Sequence, residues 1–388
     1  MEAFDNASVL RALEGVLDGA PRPVALHEPV FAGREWEHVK DCLDTGWVSS
    51  VGSYVDRFER DLGEQVGGHA VAVTNGTVAL HVCLLLAGVG ADDEVLVPDL
   101  TFIATANAVS YCRAVPHFVD SSESTLGIDP QRLGDYLGAI AERRADGCWN
   151  RRSGRRIRAV VPMHTFGHPV DMDAIAEVAA RFGLVLVEDA AESLGSYYHG
   201  RHTGTLGYVG ALSFNGNKVI TTGGGGAIVT GNAKLAARAK HLTTTARLPH
   251  RWSFLHDEVG FNYRMPNLNA ALGCAQLEVL PGLVSRKREL ARRYADAFAG
   301  AAGMRIFAEP AGTKSNYWLN VLLLDEREAA RRDELLELTN SRQIHTRPVW
   351  TPMHKLPMYA ECPRMELPVV ESLERRILCL PSGPRLAS

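Results

Sequence analysis

Phe182-Gly-Leu-Val-Leu-Val-Glu-Asp-Ala-Ala-Glu-Ser-Leu-Gly195 is an apolar run closed by carboxylates. Without polar alternation, such a run is the pattern of a strand buried on both faces of a parallel sheet. Its last residues are Glu188 and Asp189. Open α/β sheets place their ligands at the C-terminal ends of such strands. Asp189 is therefore placed to hold a protonated ring nitrogen, and equally well to cap a following helix. Working outward, apolar strands alternate with helical stretches from Val71 to about Ala191, which predicts βαβ units.

Downstream lies Gly210-Ala-Leu-Ser-Phe-Asn-Gly-Asn-Lys-Val-Ile-Thr-Thr-Gly-Gly-Gly-Gly-Ala-Ile-Val-Thr230. Lys218 is the only formally charged side chain between Arg201 and Lys234, in a loop between the β-like runs Tyr208–Phe214 and Ala227–Thr230. An ammonium in such surroundings loses hydration, which favours the neutral amine and makes it nucleophilic toward a carbonyl. The plain alternative is a lysine snorkelling from a strand edge. Upstream, Val71-Ala-Val-Thr-Asn-Gly-Thr-Val-Ala-Leu80 leads from a short strand through Asn75-Gly76-Thr77 into an apolar helix. Gly76 lets the backbone approach an anion, and the first free amides with the Thr77 hydroxyl bind it. Ser213 adds a second hydroxyl; an ordinary helix cap is the alternative. In chain order these are a phosphate cup, a ring acid and an amine, the inventory of a pyridoxal 5'-phosphate (PLP) site.

At this point the chain resembles the PLP-dependent sugar aminotransferases of the DegT/DnrJ/EryC1/StrS family, over nearly its whole length. The blocks that carry the resemblance begin with Thr45-Gly-Trp-Val-Ser-Ser-Val-Gly52, Phe58-Glu59, Asn75-Gly-Thr-Val-Ala-Leu80 and Asp93-Glu-Val-Leu-Val-Pro98. They continue through Thr101-Phe-Ile-Ala-Thr105, Val161-Pro-Met-His164, Glu188-Asp-Ala-Ala-Glu192, Ser213-Phe-Asn-Gly-Asn-Lys218, Gly260-Phe-Asn-Tyr-Arg-Met265 and Ala270-Ala-Leu-Gly-Cys-Ala-Gln276. The resemblance implies PLP fold type I: a large α/β domain with a mainly parallel seven-stranded sheet and a smaller C-terminal α+β domain. It also implies a homodimer with shared active sites, and transfer of an amino group from L-glutamate to a nucleotide-linked keto sugar.

By the same resemblance Lys218 matches the Schiff-base lysine and Asp189 the partner of the pyridine nitrogen. Gly76, Thr77 and Ser213 match phosphate-binding positions, and Phe102 an aromatic stacked on the cofactor. Asn262 matches a residue that reaches the phosphate of the neighbouring subunit. Glu192 replaces the commoner Gln beside the cofactor's 3-hydroxyl, and a carboxylate cannot donate a hydrogen bond unless protonated. Arg247, Arg251, Arg264 and Arg347 fall in loops near the family's opening, with His164, His250, Trp252, His256 and His354 as further substrate candidates. Pro162-Met-His-Thr-Phe-Gly-His-Pro169, His241-Leu-Thr-Thr-Thr-Ala246 and Thr346-Arg-Pro-Val-Trp350 resemble enzymes aminating a 4-keto-6-deoxy sugar on the way to legionaminic-type acids. C3 amination is the alternative. A dehydratase of the same fold has histidine in place of lysine, and Lys218 speaks against it. A PLP-binding regulator predicts a missing lysine or a DNA-binding domain. A nicotinamide oxidoreductase needs a Gly-x-Gly-x-x-Gly turn, which is not found.

Composition is that of a globular chain, and 388 residues suffice for substantial cores. A formal charge of −4 predicts no general affinity for nucleic acid or membrane. Seven scattered cysteines predict reduced thiols and a cytoplasmic setting. The start carries no signal-peptide pattern, and no uninterrupted apolar run reaches membrane-spanning length. The expected organisation is a helix and arm over 1–30, a PLP-binding domain over 31–266, and a C-terminal domain with its linking helix over 267–388. Gly223–Gly226 is read as a tight bend, since it lacks the ending and following helix of a P-loop. His164 and His168 would pair on a metal only if helical, and Gly167 and Pro169 prevent that, so no metal is expected. Arg143, Arg144, Arg151, Arg152, Arg155, Arg156 and Arg158 are expected in an exposed loop.

Overall fold

A computed structural model describes residues 4–387. The chain opens with α1 (Asn6–Val16), whose first amides are capped by the Asp5 carboxylate, then α2 (Glu35–Thr45) and α3 (Ser53–Val66). Strand and helix then alternate through β1 (His69–Val73), α4 (Gly76–Leu86), β2 (Glu94–Pro98), α5 (Ala104–Tyr111), β3 (Val115–Val119) and α6 (Pro130–Ile140). A hairpin of β4 (Ala141–Arg144) and β5 (Gly147–Asn150) precedes β6 (Arg156–Val160), α7 (Met172–Phe182) and β7 (Val185–Asp189). Short β8 (Tyr197–Tyr198) and β9 (Arg201–His202) lead to β10 (Val209–Ser213), β11 (Gly226–Thr230) and α8 (Ala233–Thr243). The apolar run from Phe182 to Asp189 is thus the end of α7 followed by β7.

The main sheet runs β1-β11-β10-β7-β6-β2-β3. Its β10/β7, β7/β6, β6/β2 and β2/β3 pairs are parallel, and β11 is antiparallel to both neighbours. Six of the seven strands therefore share one direction, as fold type I requires. Consecutive residues of one strand feed opposite apolar layers, which is why these strands read as unbroken hydrophobic runs. Leu96, Val160 and Leu212 join Phe58, Leu62 and Phe214 on one face, while Val95, Val97 and Ala211 join Ala79, Leu80 and Ile228 on the other. Each such aliphatic side chain contributes about 1.5–3 kcal/mol by leaving water.

The arginine-rich stretch departs from the expected loop. β4 and β5 pair with each other, and β5 pairs with β6, extending the sheet to nine strands. Beneath the charges lies a period of two: Cys148 and Asn150 are buried while Gly147 and Trp149 are not. Arg144 lies over the Trp149 ring within the hairpin, and Arg158 on β6 donates to the Ala87 carbonyl at the end of α4.

After the exposed hairpin β12 (Arg247–Leu248) and β13 (Leu255–His256) comes α9 (Asn267–Ala297). By length and apolarity α9 could cross a membrane, yet Leu280, Leu283, Leu290 and Tyr294 are spent in this fold's cores. The C-terminal lobe adds β14 (Met304–Ile306), β15 (Thr313–Lys314), β16 (Asn320–Leu324), α10 (Arg332–Ser341), β17 (Arg347–Pro348), α11 (Pro368–Arg376) and β18 (Ile377–Leu380). Its sheet runs β14-β16-β18-β17, while β15 joins β8 and β9. Val9, Leu10 and Leu13 of α1 pack with Leu322, Leu324, Leu335 and Ile344, so the N-terminal helix shares the C-terminal lobe's core. β16 begins at Asn320, shortly after Tyr317, whose φ of 48° breaks an extended path.

Candidate active site

At the end of β1 the Asn75 side chain accepts from the Val78 amide and starts α4. The first amides of α4, at Gly76 and Thr77, face outward from the positive end of the helix, a favourable place for an anion. A Cβ at Gly76 would lie 2.8 Å from the Ser213 Cβ and 3.1 Å from its Oγ. Only glycine lets the turn close against the end of β10. Gly226 does the same from β11, since a Cβ there would stand 2.7 Å from the Gly76 nitrogen. The glycine run thus brings the turn, β10 and β11 together, and Gly223 supplies a bend at φ 79°. Among the described residues neither the Thr77 nor the Ser213 hydroxyl has a hydrogen-bond partner. Amides, hydroxyls and a glycine cradle fit a phosphate group.

Strand alternation separates the two carboxylates that end β7. Glu188 points into the protein, where it accepts from the amides of Gly204, Leu206 and Gly207 and meets His164 Nε2 at 3.0 Å. Burial would raise its pKa, but His164 and these amides hold it below the usual carboxylate value. Asp189 is 3% exposed. Its Oδ2 accepts from Thr105 Oγ1 at 2.6 Å and its Oδ1 from the Ala191 amide. Thr105 is in turn 2.8 Å from Thr101 Oγ1. Burial pushes the Asp189 carboxyl above its usual value, partly countered by Thr105 and the Ala191 amide. A cationic ring nitrogen is the partner that such a desolvated acid accommodates.

Lys218 follows β10, its amide bonded to the Asn215 carbonyl. Its surroundings are not purely apolar, contrary to the reading of its neighbours in sequence. Nζ lies 3.5 Å from Glu192 Oε1 and 3.9 Å from the centroid of the Trp318 ring. Both contacts come from residues remote in the chain. The other Glu192 oxygen accepts from the Phe166 amide at 2.8 Å. Burial pushes the Glu192 carboxyl up to about 7, opposed by Lys218 and the Phe166 amide. Its protonated form is a hydrogen-bond donor, as the commoner Gln is.

The remaining candidates are scattered. Phe102 is half exposed and its ring meets Trp350. Asn262 is exposed, on a segment whose Tyr263 carbonyl accepts from the Thr74 amide beside the anion cradle. Arg264 is not at an opening: it is 7% exposed and paired with Glu59. His164 is fully buried on Glu188 and accepts from the Val170 amide through Nδ1, so it lines no open surface. Arg347 donates to Asn340 and to the Thr346 carbonyl, turning back toward α10. His354 Nδ1 lies 2.6 Å from Asp99 Oδ2 and ties its loop to the end of β2. Arg247 and Arg251 lie over the rings of Phe254 and Trp252 on the β12–β13 hairpin, and His250 caps the turn there through the amides of Trp252 and Ser253. His256 bonds to the Thr245 carbonyl within the same hairpin. Sequence reading missed Thr105, Phe166 and Trp318. Thr105 left a signal as the end of the Thr101–Thr105 block and Phe166 as a member of the Pro162–Pro169 block, whereas Trp318 lay in none of the quoted blocks.

Residues 30–388 match the DegT/DnrJ/EryC1/StrS aminotransferase family. The chain belongs to that family. This DegT-family chain is a PLP-dependent sugar aminotransferase by descent, and among its relatives is the GDP-perosamine synthase of Escherichia coli O157:H7, 38% identical over 366 residues and covering 94% of each chain. The GDP-perosamine synthase of Vibrio cholerae is 34% identical over 94% of this chain and 95% of its own. In structure the chain is similar to the aminotransferase TlmJ from Streptoalloteichus hindustanus, with a TM-score of 0.83, 31% identity, and coverage of 92% and 93%. The perosamine synthases carry the likeness that the sequence blocks suggested for legionaminic-type enzymes, and that narrower link gains no support from them.

Proposed function

We propose that this chain moves an amino group from L-glutamate to C4 of a 4-keto-6-deoxy hexose carried on guanosine diphosphate, in the making of a bacterial surface sugar in the cytoplasm. The observation that carries the reading is the meeting of Lys218 Nζ with Glu192, in one site with the buried Asp189 and the Gly76–Ser213 cradle. The perosamine synthase relatives support the guanosine carrier and the C4 position. PLP held there supplies an electron sink and the carbonyl carbon to which amino groups are attached in turn. Gly76, Thr77 and Ser213 would hold its phosphate, Asp189 would keep the ring nitrogen protonated, and Phe102 and Glu192 would take the positions beside the ring that the family resemblance gives them. Lys218 Nζ would anchor the cofactor and, once freed, take and return the proton that amino transfer displaces.

The reading includes a homodimer in which Asn262 completes the partner's phosphate site. Large apolar side chains left uncovered support a second copy: Trp36, Trp252, Phe254 and Val259 are each more than two-thirds exposed. Of the substrate candidates His354, Arg347, Arg247, His250 and His164, Arg247 and His250 ride the exposed hairpin, while His164, fully buried on Glu188 and the Val170 amide, offers a substrate no face. The test is to incubate the PLP-loaded protein and glutamate with GDP-, UDP- and dTDP-linked 4-keto-6-deoxy sugars and locate the new nitrogen. Amination at C3, or no preference for the guanosine carrier, refutes the reading.

A further inference from the structure

Four aromatic rings stand in a row across the seam between the lobes. Phe102 lies 6.3 Å from Trp350, Trp350 lies 5.0 Å from Phe166, and Phe166 lies 6.4 Å from Trp318. The row ends under Lys218 Nζ, 3.9 Å above the Trp318 centroid. Phe102 and Phe166 come from the large lobe, Trp350 and Trp318 from the C-terminal lobe. Phe166 takes a φ of 56°, a region that L-residues seldom occupy and that is held only where surroundings demand it.

Trp318 touches the lysine loop in two ways. Its Nε1–H donates to the Asn217 carbonyl at 2.7 Å, at the residue before Lys218. Its ring face receives Nζ, a cation–π geometry within the usual 6 Å. The indole is itself fixed. The Trp318 amide donates to Asn316 Oδ1, and its carbonyl accepts from Lys287 Nζ, an amine with no exposed surface. Asn316 Nδ2 also donates to the carbonyls of Glu192 and Leu194. One rigid unit therefore orders the indole, the segment bearing Glu192 and the backbone before Lys218.

We infer that Trp318 is a positioning residue for Lys218, fixing the loop at Asn217 and the direction of Nζ. The inference rests on Lys218 being the lysine that holds the cofactor. A reacting group displaced by about 1 Å can lose about a hundredfold in rate, and the two Trp318 contacts set where Nζ stands.

The test uses the full-length chain. Trp318→Phe keeps a ring face and removes the N–H, and Trp318→Leu removes both. Three quantities separate positioning from packing: the rate at which Lys218 captures added PLP, followed by absorbance and borohydride fixation; the affinity for pyridoxamine 5'-phosphate, which needs no lysine; and Tm. Capture by Trp318→Leu should slow about 10- to 100-fold, with Trp318→Phe between it and wild type. Pyridoxamine phosphate affinity should stay within about twofold, and the single-turnover reaction with glutamate should lose maximal rate and keep its half-saturating glutamate concentration, as a displaced reacting group requires. An equal loss of pyridoxamine phosphate affinity and Tm with unchanged capture would make Trp318 a packing residue and overturn the inference. Should Trp318→Leu fail to fold, Trp318→Phe decides alone: slowed capture at wild-type Tm upholds the inference and wild-type capture overturns it. If Lys218→Ala kept full turnover, the assignment of Lys218 would fail instead.

Discussion

The Glu59–Arg264 pair offers a quantitative test of how the anion cradle is held. Glu59 Oε1 accepts from the Ala72 amide and from Arg264 Nη1, and its Oε2 from Lys240 Nζ at 2.9 Å. Arg264 also donates to the Ala72 carbonyl at 3.0 Å. The two charged side chains are 9% and 6% exposed, whereas Lys240 is 48% exposed. Arg264→Met leaves a buried carboxylate with one backbone donor and one solvent-facing cation. Removing one partner of a buried pair costs about 3–5 kcal/mol, and the remaining Lys240 places this case near 3. At about 2.1 cal/mol/K of unfolding entropy per residue, a cooperative chain of 388 residues would lose roughly 4 °C in Tm. Because the 263–265 segment lies against β1 just before Asn75, PLP affinity should fall as well. The assay is a double-mutant cycle of Glu59→Gln and Arg264→Met, read by thermal and urea unfolding. Replacing both partners can be nearly neutral, so the double variant should lose less than the sum of the singles by at least about 1.5 kcal/mol. Additivity within about 0.5 kcal/mol would refute the coupling.

Four further outcomes follow from the geometry. The Glu192 carboxyl, pushed from 4.5 up to about 7, keeps its proton where the unfolded chain has released it. The cofactor-free protein should therefore lose stability as pH rises from about 4.5 to about 7 and level off above, by roughly 3 kcal/mol; Glu192→Gln should abolish that slope in urea titrations at several pH values. Gly76→Ala places a methyl 2.8 Å from Ser213 and should weaken PLP binding about tenfold or more at little cost in Tm, as measured by equilibrium dialysis. Asp189→Asn should slow the glutamate half-reaction on the order of a hundredfold in stopped-flow absorbance while the chain stays folded. A hybrid dimer of Lys218→Ala and Asn262→Ala subunits should regain about half of wild-type activity, since one site then carries both defects and the other neither; an inactive hybrid of folded parents would show that Asn262 serves its own subunit.

What could be read from the sequence was what is local. β7 announced itself because Leu184 to Val187 alternate between two apolar layers. The Lys218 loop stood out because it lacks charge, and the Asn75–Thr77 turn because glycine precedes an apolar helix. Each depends on neighbours within a dozen residues. The contacts that complete the site join distant segments: Trp318 meets Lys218 across a hundred positions, and Glu59 meets Arg264 across more than two hundred. No period or cap encodes such pairings. Arg264 looked like a surface cation because its partner lies far back in α3, and His164 looked open because its position at a strand end says nothing of Glu188 on the adjacent strand. The β4–β5 hairpin escaped notice because seven arginines masked a four-residue alternation.

The return from β10 to β11 carries a consequence for how this chain tolerates changes of length. The Phe214 amide donates to the Gly225 carbonyl and the Thr222 amide to the Phe214 carbonyl, while Asn269 and Gln276 of α9 bond the segment 221–224 from outside. Both ends are locked into register by antiparallel pairing of Ser213 with Gly226. An inserted residue between 221 and 225 would have to break these bonds or unseat Gly226, whereas Asn215 and Asn217 are exposed and a Cβ at Gly216 would meet nothing. The β12–β13 hairpin is joined to the rest by few such bonds and presents its tip to solvent, so insertions and deletions of a few residues there should leave the fold intact while a single one within 221–225 should not.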